Sequence, residues 1–128
     1  MTITAKFSNG FEDTYKGNRA VKAAWAIIRK SDGAVLASGH SLDASKAAKT
    51  ASGHMMYLAH EVGVDLPRFD VPQRIWFGAN YSYLFSVAAK YGYAGKAHMS
   101  AYKRWAIAKN AERRAAVEAA VSVEIINL

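Results

Sequence analysis

Between Lys90 and Arg114 the chain gathers Lys90, Lys96, Lys103, Arg104, Lys109, Arg113 and Arg114 against a single acid, Glu112. Most of the formal net charge of +7 therefore sits in one stretch, and a localised cationic surface is what a phosphate backbone attracts. Aromatic residues interleave with it: Tyr91, Tyr93, Tyr102 and Trp105. Met99, Tyr102 and Ala106 form a helical core stripe. Trp105 lies one position off it beside Arg104 and is the aromatic placed to stack on a base or cover a sugar, half-buried packing being the alternative. If about five of these cations engage phosphates, affinity for duplex falls with log salt at a slope of about −4 to −5. A solvated helix face that aids solubility is the other reading of the same stretch.

Other chemistry finds little support. With no cysteine, disulfides, thiolate zinc sites and cysteine nucleophiles are excluded. The imidazoles are His40, His54, His60 and His98. His54 and His60 are six apart on one expected helix, hence on different faces, and no HExxH occurs, so all four read as solvated or core-edge residues. Glu12, Asp13, Asp65, Asp70 and Glu124 are the acids that could assemble a carboxylate cluster, though nothing in their spacing demands one. No GxSxG, P-loop or GxGxxG is present, and neither a cofactor nor a metal is expected.

The elements that must position these residues fit one domain, residues 1–128, since a domain typically holds about 100–200 residues. At 52% hydrophobic and 21% charged, the chain has the balance of a folded globule. No apolar run approaches the ~20 residues of a membrane span and Met1–Gly10 lacks a signal-peptide core, so a cytoplasmic protein without membrane association is expected. Thr2–Ser8 alternates as a half-buried strand and Asn9-Gly10 breaks it. Ala23–Lys30 and Ala34–Ser41, joined by Ser31-Asp32-Gly33, read as a hairpin. Asp43 is a good N-cap for a helix of about five turns with the stripe Ala47, Ala51, Met55, Leu58 and Val62, closed by Gly63. Val64–Gln73, with Pro67 and Pro72, is a surface connection. Arg74–Gly78 reads as a short buried strand, Tyr81–Tyr91 and His98–Ala120 as helices, and Val121–Asn127 as a last strand.

The order β-β-β-α-β-α-α-β predicts an α/β protein: a mixed five-stranded sheet with helices on its faces, a right-handed crossover setting the fourth strand beside the first.

That order, with "AWAIIRKSDGAVLASGHS" and the helix end "MMYLAHEVGV", resembles the ribonuclease H-like fold, whose second and third strands share a D-G turn. "RIWFGANYSYLF" is similar to that family's fourth strand and the helix after it. The resemblance implies hydrolysis of the RNA strand of a hybrid by two divalent metals held on four carboxylates. In this sequence Asn9 and Asn80 stand at the two strand-end positions, no acid lies between Asp43 and Glu61 for the first helix, and none follows the last strand up to Leu128. Magnesium prefers charged oxygen ligands, and Asn offers a neutral carbonyl together with an NH2 donor. A degenerate site at Asn9 and Asn80 that binds no metal follows, unless Asn9-Gly10 is merely a turn and Asn80 merely an N-cap.

The expected function is thus a non-catalytic nucleic-acid-binding protein, its basic helical patch contacting phosphates of DNA, RNA or a hybrid. A second reading is a small protein-interaction module or inhibitor docking on an acidic partner surface. A third is a metal-dependent nuclease with rearranged ligands.

Overall fold

A computed structural model of the chain describes residues 1–76, 79–95 and 98–128. The described residues form β1 (Thr2–Lys6), β2 (Glu12–Lys16), β3 (Ala23–Arg29), β4 (Val35–Ser41), α1 (Ala44–His54), α2 (Ser82–Ala89), α3 (Met99–Ala120) and β5 (Val121–Asn127). The protein is mixed α/β, but it does not hold a five-stranded sheet. A two-stranded β1–β2 ribbon and a three-stranded β4–β3–β5 sheet stand instead, and every pairing is antiparallel. The chain divides into two compact units, Met1–Asp65 with Ala116–Leu128, and Leu66–Ala115.

In the first unit β3 is the central strand. Its continuous apolar run AAWAIIR cannot keep a wet face, so both sides are covered. Ala23, Trp25 and Ile27 point to one side and pack with Ala47, Ala51 and Met55 of the α1 segment and with Val117 and Val121. Ala24, Ala26 and Ile28 point to the other and meet Ala5 and Phe7 of the β1 ribbon. The small side chains of Ala24 and Ala26 let a ribbon lie where a helix was expected. Trp25 sits in register between Gly39 and Ile125, and the indole lies so close over Gly39 that a Cβ there would stand 2.9 Å from Nε1.

The sequence-based order fails at three places. Glu12–Lys16 is a strand paired with β1, its period-two pattern turning the half-buried Asp13 and Tyr15 to one face, where they meet His40 of β4. The strand expected over Arg74–Gly78 is not formed at residues 74–76: Ile75 and Trp76 are more than half exposed, and Phe77 and Gly78 lie outside the described residues. A short apolar run becomes a strand only when its backbone pairs with a sheet edge, and residues 74–76 pair with none of the strands of either sheet. For the same reason no crossover sets a fourth strand beside β1; β1 pairs with β2 alone. Finally, α1 ends at His54 and continues as two 3₁₀ turns, Met55–Tyr57 and His60–Val62, so His54 and His60 do not share a helix. Gly53, a weak helix former, sits where the α-helix gives out, and Gly63 closes the segment at φ 75° as expected.

The second unit packs α2 and most of α3 around Phe69, Leu84, Ala88, Tyr102 and Ala106. Three α3 side chains hold the extended segment 66–70: Tyr102 donates to the Asp70 carbonyl at 2.6 Å, Asn110 bonds both backbone groups of Phe69, and Arg113 Nε donates to the Leu66 carbonyl at 2.8 Å.

Candidate functional site

The basic stretch does not form one cationic face. At about 100° per residue, Lys109 and Arg113 lie within about 20° of Tyr102, the buried direction of α3, whereas Lys103, Arg104 and Arg114 point roughly 100–160° away. Accordingly Arg113 is half-buried with its guanidinium on Leu66, and Lys109 lays a half-buried stem along the helix with its ammonium 3.2 Å from Glu112. Arg104 and Arg114 are exposed, Lys103 is partly so, and Lys90 stands exposed at the C-cap of α2. Lys96 lies outside the described residues.

Trp105 is packed rather than displayed. Its ring centroid is 4.7 Å from that of Phe69 and 5.4 Å from that of Tyr93, within one aromatic cluster. Stacking on a base would require it to leave that cluster.

Asn9 and Asn80 belong to different units, and each serves its own turn. Asn9 Oδ1 accepts the Phe11 N–H at 3.0 Å and Nδ2 donates to the Gly33 carbonyl at 3.2 Å, tying the β1–β2 turn to the β3–β4 turn. Asn80 Oδ1 accepts the Ser82 N–H at 2.9 Å at the start of α2. Among the acids considered above, Glu124 accepts from the backbone and hydroxyl of Ser8, fastening the ribbon to β5. Among the described residues no three His, Asp or Glu side chains converge as metal ligands.

The first unit holds a pocket that the spacing of residues does not reveal. It has a volume of about 300 Å³ and is lined by Tyr15, Arg19, His40, Ser41, Lys46 and Thr50. Val21 and Leu42 add an apolar wall. His40, near the end of β4, has a side chain only 4% exposed, with Nδ1 3.6 Å from Asp13 Oδ2 on β2. Its Nε2 is buried and has no hydrogen-bond partner among the described residues. The Tyr15 hydroxyl accepts the Arg19 N–H at 3.2 Å, which leaves its own proton to donate. Thr50 Oγ1 donates to the Lys46 carbonyl at 2.9 Å, so its lone pairs remain available to accept. The pairing of His40 with Asp13 depends on β2, for which the alternation in EDTYK is the signal in the sequence.

Comparison with protein-family models, with curated proteins and with solved structures finds no match. Among the described residues no helix is long and apolar enough to cross a membrane.

Proposed function

We propose that the chain binds DNA, RNA or a hybrid without cutting it, holding phosphates with exposed lysines and arginines. What carries this reading is the employment of the acids. Asp32 is gripped by Arg29, Asp43 caps α1, Glu124 holds Ser8, Asp13 faces His40 and Glu112 pairs with Lys109. With those carboxylates engaged locally, Lys90, Lys103 and Arg104 stand at the surface with no ion pair among the described residues, and the charge of +7 is left to attract a polyanion. The likeness of residues 23–63 to the ribonuclease H-like strands and helix supports a nucleic-acid ligand. The amides Asn9 and Asn80, poor ligands for a hard divalent cation, support binding without hydrolysis.

With Lys109 and Arg113 turned toward the packed side, Lys90, Lys103, Arg104 and Arg114 are the described cations of this stretch at the surface, and about three of them reach phosphates together. Fluorescence anisotropy with labelled single strand, duplex, RNA and hybrid should therefore show log K falling with log salt at a slope of about −3 on duplex. The double charge reversal Lys103→Glu/Arg104→Glu should weaken binding at least tenfold. Absence of salt-dependent binding to all four probes overturns the reading. Capture of an acidic protein after nuclease treatment, with no nucleic-acid binding, would assign the same cations to a protein partner.

A further inference from the structure

We propose that the pocket between β2, the end of β4 and α1 binds a small phosphomonoester, with the phosphate held by Arg19 and Lys46. The site lies in the first unit and is separate from the α3 cations above.

Its chemistry selects an anion. Arg19 and Lys46 supply two positive charges, and no acid is among the lining residues. Ser41 adds a hydroxyl and the Tyr15 hydroxyl has a proton to donate, whereas Thr50 spends its proton on the Lys46 carbonyl. An arginine fork beside a lysine suits the several oxygens of a phosphate better than the two of a carboxylate. The apolar side of the pocket, Val21 and Leu42 with the Tyr15 ring, gives the organic part of the ligand a surface to cover. At about 300 Å³ the volume lies at the small end for ligand pockets and accommodates a molecule no larger than a mononucleotide.

His40 is the independent sign that something is meant to arrive. A buried polar nitrogen without a partner is costly, and native structures retain few of them. The imidazole lines the pocket, its ring centroid 5.7 Å from that of Tyr15, and Asp13 stands beside Nδ1. Nδ1 faces Asp13, so Nε2 is the nitrogen left for a ligand: as neutral imidazole it accepts from a ligand hydroxyl, and only as imidazolium does it donate to a phosphate oxygen.

The test is a two-dimensional amide NMR titration of the full chain with inorganic phosphate, adenosine monophosphate and adenosine. Phosphate and the monophosphate should shift the amides of Tyr15, Arg19 and residues 40–46 saturably, and adenosine should not. Arg19→Ala and Lys46→Ala, both at exposed positions, should each weaken monophosphate binding about tenfold without changing the thermal midpoint. His40→Gln should weaken it too, with Asp13→Asn as a companion that leaves the ring in place. Lys103→Glu/Arg104→Glu should leave monophosphate binding unchanged, so this site stands or falls apart from the α3 surface. Competition by a 5′-phosphorylated but not a 5′-hydroxyl oligonucleotide would identify a nucleic-acid end as the source of the phosphate; competition by the free nucleotide alone would identify a small molecule. Equal binding of adenosine and its monophosphate, or undiminished binding by both alanine variants, overturns the assignment.

Discussion

Asn110 clasps Phe69 with its whole side-chain amide: Oδ1 accepts the Phe69 N–H at 2.7 Å and Nδ2 donates to the Phe69 carbonyl at 2.9 Å. An asparagine on a helix thereby stands in for the neighbouring strand that the extended segment 66–70 lacks. Asn110→Ala would leave both backbone groups of a buried residue unpaired. At about 1 kcal/mol per net hydrogen bond, plus the cost of leaving part-buried backbone groups without a substitute, a loss of about 2–3 kcal/mol is expected in urea denaturation. Asn110→Asp keeps the acceptor for the N–H but sets a carboxylate against the Phe69 carbonyl, and should be no less damaging at neutral pH. A change within about 0.5 kcal/mol for the alanine variant would show that the clasp is idle.

The turn between β3 and β4 has its own pH signature. Arg29 donates to Asp32 through Nε at 2.9 Å and Nη2 at 2.7 Å, and the Ala34 N–H donates to Asp32 Oδ1 at 3.1 Å. These bonds, the Arg29 one foremost, hold the Asp32 carboxyl at about 2, below its ordinary 3.8. Since the folded value is depressed, the associated stability is present above the unfolded value and lost as pH falls through about 2. The contribution is small at so exposed a site. A ¹³C carboxyl titration should place the Asp32 midpoint near 2, and Arg29→Met should return it toward 3.8. A wild-type midpoint already at the ordinary value would refute the coupling.

Trp105 and Arg104 are neighbours with opposite expected phenotypes. Trp105→Ala removes a ring packed against Phe69 and Tyr93 and should cost about 3 kcal/mol, somewhat below a fully buried tryptophan because the ring is not completely covered. Arg104→Ala touches an exposed side chain and should alter stability by no more than about 0.5 kcal/mol while weakening nucleic-acid binding. Paired thermal melts and anisotropy curves for the two variants separate the roles. The reverse pattern would place Trp105 in the interface.

Gly39 is needed for space rather than for its backbone angle. A Cβ would meet three atoms of the Trp25 ring at 2.9–3.0 Å, and the indole, 3% exposed, is pinned by the α1 core. Gly39→Ala should destabilise the first unit by about 1–3 kcal/mol and perturb the near-ultraviolet signal of Trp25. Trp25→Phe combined with Gly39→Ala should recover part of that loss, since the smaller ring leaves room.

Features governed by neighbours along the chain were legible in the residues alone. The D-G turn and its flanking β-formers specify the β3–β4 hairpin, β-branched residues mark β5 from Val121 to Asn127, and Asp43 caps α1 with its Oδ1 on the Lys46 N–H at 2.8 Å. In each case the decisive interaction spans a few residues, so local preference and final structure agree. Partner choice among strands was different. β5 joins β3, and β1 takes β2 as its partner instead of a strand from the Arg74–Gly78 run, because an apolar run shows that a strand needs cover without showing which remote segment supplies it. The same distance in sequence hid the functional groupings: Asp13 beside His40, Asn110 on Phe69, and the turning of Lys109 and Arg113 toward the packed side of α3. Charge and residue type are properties of sequence, whereas which charges face solvent and which buried imidazole nitrogen is left without a partner follow from how helices and strands pack, and only the tertiary structure decides that.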